Sequence, residues 1–160
     1  MIQRRQSIFL LLIVISSFVM IFSGKPFAVL TSNSLNIEVG FKESVIKSIA
    51  APQFPVMHSH LLLTLHISLD ALIAGMSIFL FNKRKLQLKI TIINFILIFA
   101  LYGTMIYTLN DVSAKFIKSA SDTQFTSLCA YPLILLALNF IAYRGIKKDI
   151  DLVSSADRLR

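Results

Sequence analysis

The chain has 160 residues, of which 56% are hydrophobic and 15% charged, with five Gly, four Pro and one Cys; this excludes a disordered segment, a collagen-like repeat and a disulfide-framed secreted domain. A mean hydropathy of +0.75 points to a small multi-pass membrane protein, because four spans take roughly 80 residues and leave too little chain for a separate soluble enzyme. The net charge of +8 is then read first as a topology signal and not as a nucleic-acid footprint.

The first apolar segment, residues 8–22, follows Arg4 and Arg5 and predicts a span over about 7–23. A cleaved signal peptide is the alternative, but Ile21 stands where a small residue is wanted before a cleavage point at Ser23-Gly24. The outer loop over 24–56 is the longest. Its alternating stretch Leu35-Asn36-Ile37-Glu38-Val39 predicts a short strand, and Phe41, Val45 and Ile49 predict one face of a helix lying on the membrane or capping the spans. The second span covers about 61–81 and stops at Asn82-Lys83-Arg84-Lys85. A tight turn over 82–87 makes it an antiparallel hairpin with the third span, about 88–109. The fourth covers about 125–143, with Pro132 in its first turns, where a missing backbone donor costs least. A basic tail over 144–160 follows, in which Ile146, Ile150 and Val153 continue a helical spacing.

Eleven of the sixteen basic residues fall in three groups: Arg4 and Arg5; Lys83, Arg84, Lys85 and Lys89; and Arg144, Lys147, Lys148, Arg158 and Arg160. The positive-inside rule therefore places both termini in the cytoplasm and the long loop outside. Tyr107, Tyr131 and Tyr143 fall at span ends, where interfacial aromatics belong. The expected fold class is an all-α membrane protein, a bundle of four transmembrane helices forming one domain.

Three stretches carry a family resemblance: the opening MIQRRQS, the hairpin LFNKRKLQLKI over 80–90, and the end YPLILLALNFIAYRGIKKD with SADRLR. Together they cover about a quarter of the chain. They resemble an uncharacterised family of small four-helix inner-membrane proteins from Gram-negative bacteria. The resemblance implies a first helix that is kept and four spans in all, and it carries over no activity and no catalytic residue.

Polar residues within spans are the place to look for function. Asp70 is the one acidic residue in a span, and His66, four residues earlier, shares its helix face. Counting residues inward from the flanking charges brings Tyr102 and Ser17 to the depth of Asp70, so a polar network of Asp70, His66, Tyr102 and Ser17 is expected. Its simplest role is to order the helices; its functional role is proton movement. Asn94 and Asn139 each lie five residues from a flanking charge, so they are expected to pair helices three and four. His58 and His60 extend the histidine set, but on a helix His60 faces away from His58, His66 and Asp70, so no metal site is assigned. Ala71, Ala74, Gly75 and Ser77 suggest close helix packing, and Cys129 reads as an inert thiol. No hydrolase elbow, phosphate loop or zinc motif occurs. The expected protein is an accessory or scaffold subunit of the inner membrane, not an enzyme, with no cofactor and no nucleic acid. Its partners are the lipid bilayer and another membrane protein or a second copy. The alternative is a proton-coupled or ion transporter component using Asp70 and His66.

Overall fold

The computed structural model describes residues 5–49, 53–117 and 122–158. Arg4 and Arg160, two of the charges counted above, lie outside them. The elements in chain order are α1 (Arg5–Phe22), β1 (Pro26–Thr31), β2 (Leu35–Gly40), β3 (Glu43–Ser48), β4 (Val56–Ser59), α2 (Leu61–Phe79), α3 (Arg84–Phe116), β5 (Asp122–Phe125) and α4 (Tyr131–Arg158). Short 3-10 turns at Leu80–Asn82 and Ser127–Ala130 lead out of α2 and into α4.

The fold is not all-α. Among the described residues there are four helices, but β1 to β5 form one antiparallel sheet of order β4-β3-β2-β1-β5. The stretch beginning at Phe41, expected as a helix, is largely strand β3. The reason is visible in the register. Leu30 faces Ile37, which faces Ile46, so period-two alternation places these side chains on one buried face. Glu38 and Lys47 turn the other way and form a half-exposed 2.6 Å ion pair. Gly40 closes the turn between β2 and β3, where an added Cβ would stand 2.7 Å from the carbonyl oxygen of Glu43. The strand expected over 35–39 is β2, one residue longer.

Three helical stretches, Leu61–Asn82, Arg84–Phe116 and Ser127–Ser155, are long and apolar enough to cross a membrane; Gln6–Phe22 is a shorter apolar helix. Their buried positions follow a 3.5-residue repeat. On α3 these are Gln87, Thr91, Asn94, Ile98, Leu101, Met105, Thr108 and Val112, alternating steps of four and three, which is the spacing that keeps one seam turned inward on packed helices. Two helices run beyond the expected spans, α3 at both ends and α4 at its C-terminal end, whereas α2 stops at Phe79 and α4 starts only at Tyr131. α3 begins at Arg84 and ends at Phe116, and α4 carries the basic tail as helix to Arg158.

The chain divides into two compact units. The helical unit comprises residues 1–18, 68–100 and 133–160. Within it α1 meets α2 at Val14 and Gly75, and α4 meets α1 where Gly145 lies close enough to Gln6 that a Cβ would approach it to 3.2 Å. Hydrogen bonds join α2 to α3 and α3 to α4. The sheet unit comprises residues 19–67 and 101–132. Its core holds Phe27, Phe41 and Tyr131, with ring centroids 5.1 and 5.5 Å apart in sequence. Tyr131, expected at a membrane interface, is thus a core residue, 2% exposed.

Candidate functional site

In the helical unit the buried seam is polar over its middle. The Ser77 and Thr91 hydroxyls lie 3.2 Å apart, and Gln87 Nε2 donates to the Ser77 carbonyl at 2.9 Å. Asn139 Nδ2 donates to the Thr91 carbonyl at 3.0 Å, tying α4 to α3. Asn94 and Asn139, expected to bond each other, do not: both polar atoms of Asn94 and Oδ1 of Asn139 have no hydrogen-bond partner among the described residues. Beside the bond from Asn139 to Thr91 an apolar groove of about 230 Å³ is lined by Ile92, Phe95, Ile96, Phe140 and Tyr143.

Asp70 is wholly buried, and neither carboxylate oxygen has a hydrogen-bond partner among the described residues. The bonds to Tyr102 or Ser17 that the depth count suggested are therefore not formed. Ser17 belongs to the helical unit with Asp70, and its Oγ donates to the Ile13 carbonyl at 2.9 Å. His66 and Tyr102 belong to the sheet unit. A carboxyl without a protein partner inside an apolar helix assembly is costly to hold, and it needs either solvent or a function to explain it.

The sheet unit contains a second polar constellation that the sequence did not suggest. His60 Nε2 lies 2.7 Å from Ser44 Oγ, and both side chains are buried. The His60 backbone N–H donates to the Lys42 carbonyl at 2.7 Å, extending the β3–β4 ladder by one residue. Residues 58–60 are extended and not helical, so alternation puts the two rings on the same face, 5.5 Å apart. The helical angles that sent His60 away from His58 do not apply here. His58 also stacks edge-on against Phe116 at 5.4 Å. Burial lowers the His60 pKa from 6.5 to about 4, with the His58 charge adding to the effect, Lys115 working the same way and Asp111 opposing it. Ser44 is fully buried, so this hydroxyl–imidazole bond clasps β3 to the start of α2 and does not present a nucleophile. The signal that could have found it is the His-x-His spacing, read with a period of two. Among the described residues no group of three or more His, Cys, Asp or Glu is arranged to hold a metal ion.

No curated protein matches the sequence. A family model spans residues 2–159, nearly the full length. The chain belongs to the family described as "Domain of unknown function (DUF4293)".

Proposed function

We propose that the chain is a multi-pass protein of the bacterial inner membrane that acts as an accessory or scaffold subunit, presenting its sheet on the external side. The observation that carries this reading is the antiparallel pairing of β1 with β5, Val29 opposite Gln124. It unites the loop before α2 with the loop after α3, two segments that positive-inside topology assigns to one compartment. Two further features support it. Within the three long apolar helices only 33%, 28% and 33% of the hydrophobic windows are buried, leaving apolar surface such as Leu65, Leu72, Ile96, Phe99 and Leu133 for lipid or a partner. The end strands β4 and β5 each have one side of their backbone unpaired in the sheet order, the kind of edge to which another chain can add a strand. Photo-reactive residues at Met57 and Gln124, both exposed, should cross-link in cells to a membrane-protein partner that co-purifies in mild detergent. Cross-links absent from both edges, with no co-purifying protein, contradict the scaffold reading.

The unpartnered Asp70 favours a second reading, a proton-coupled or ion transporter component using Asp70 and His66. Asp70→Asn separates the two readings. A scaffold keeps its partner and phenotype, whereas a transporter folds normally and loses function because an amide cannot carry the proton.

A further inference from the structure

Six side-chain atoms of the helical unit are buried without a hydrogen-bond partner among the described residues: both oxygens of Asp70, both polar atoms of Asn94, Oε1 of Gln87 and Oδ1 of Asn139. They are not scattered. Ser77 and Thr91 touch and fix the level of α2 against α3, which run antiparallel through the hairpin. From that level Asn94 lies three residues along α3 in the direction of Asp70, about 4.5 Å, and Asp70 lies seven residues back along α2, about 10.5 Å. In the opposite direction Gln87 is one turn from Thr91, and Asn139 bonds at the Thr91 level. Measured along the helix axes alone, the polar groups therefore follow one another in steps of about 6 Å or less.

One turn beyond Gln87 the line reaches the charged end of the unit. There a cavity of about 220 Å³ is lined by Gln6, Phe81, Asn82, Arg84 and Asp149. Of its lining residues Gln6 is buried while Asn82 and Arg84 are exposed, so the cavity opens to solvent at the end of the unit nearest Gln87. Buried amides and a carboxyl without partners are unfavourable in a row, and internal water is the ligand that satisfies unpartnered donors and acceptors of this kind.

We propose that the helical unit carries a chain of internal waters running from the mouth at Asn82 and Arg84, past Gln87, Asn139 and Asn94, to the carboxyl of Asp70. Asp70 then exchanges with the solvent bathing the charged turn, whether the protein is a scaffold or a transporter. Only the assignment of that solvent to the cytoplasm rests on the topology proposed above.

The path is tested with single cysteines at positions 70, 94 and 139, a solvent control at Lys85 and a dry control at the buried Leu135. Each is made in a Cys129→Ser background of the full chain. The probe is a small cationic methanethiosulfonate, applied to inside-out and right-side-out vesicles. Asp70→Cys, Asn94→Cys and Asn139→Cys should label from the same side as Lys85→Cys, with Leu135→Cys left unlabelled. Labelling at 85 without labelling at 94 and 139 overturns the path and leaves the topology standing. Labelling at 94 and 139 but not at 70 overturns its reach to the carboxyl. If all four label only in right-side-out vesicles, the path stands and the cytoplasmic assignment falls. Where a cysteine variant does not fold, radiolytic hydroxyl footprinting of the unsubstituted chain replaces it. Oxidation at Ile98, buried one turn from Asn94 on the seam, with Leu135 protected, supports the path; protection of Ile98 overturns it.

Discussion

His60 carries the plainest energetic consequence at the scale of single residues. Its pKa falls from 6.5 to about 4 on folding, so the folded chain resists a proton that the unfolded chain accepts. The stability it contributes is whole above pH 6.5 and is lost as pH drops toward 4, by at most on the order of 3 kcal/mol. The thermal midpoint in detergent should therefore fall more between about pH 7.5 and pH 5 for the natural chain than for His60→Gln. Equal falls would show that the imidazole is not the group being titrated. Gly40 makes a second prediction. Its missing Cβ is what lets the Glu43 carbonyl approach, so Gly40→Ala should destabilise by roughly 1–3 kcal/mol, read as a lower midpoint for the same helical content. An unchanged midpoint would mean that the turn relaxes freely.

Strand pairing at the scale of elements decides what kind of protein this is. Val29 and Gln124 are direct partners across β1 and β5, separated by two long helices in the chain. Cysteines at both positions, in a Cys129→Ser background, should form an intrachain disulfide under mild oxidation, while a mismatched pair at 29 and 122 should not. Disulfides only between chains would place β5 in a neighbouring copy. The difference between expectation and structure follows from the same geometry. Helices were legible because apolar residues run on for the length of a membrane core, and β2 because Leu35, Ile37 and Val39 alternate. β5 was not legible, because Asp122-Thr123-Gln124-Phe125 has neither alternation nor burial and owes its conformation to a partner strand that is distant in sequence. β3 was misread because Phe41, Val45 and Ile49 fit a four-residue spacing, while the buried Ser44 and Ile46 that define the strand face include a polar residue. The polar seam was half legible. Asp70, Asn94 and Asn139 stood out as polar residues in apolar segments, but their partners depend on helix rotation, which depth counting does not supply. Gln87 was missed because it sat in a stretch assigned to the turn.

For the whole molecule, the two units differ in how basic charge is held: in the sheet unit Lys47 and Lys115 are each paired with an acidic residue. Lys83, Arg84, Lys85, Lys147 and Lys148 belong to the helical unit, where Arg84 donates to the Asp149 carbonyl at 3.1 Å. The five strands all lie in the other unit. The scaffold role proposed above requires the basic end in the cytoplasm and the sheet outside, with the sheet edges open to a partner. The proposed scaffold role depends on that orientation. The direct measurement is labelling of single cysteines in intact spheroplasts by a membrane-impermeant maleimide, at Asn33, Gln124 and Lys85, each in a Cys129→Ser background. Asn33→Cys and Gln124→Cys should label in intact spheroplasts and Lys85→Cys only after permeabilisation; labelling at 85 before permeabilisation, or opposite behaviour of 33 and 124, would contradict the account.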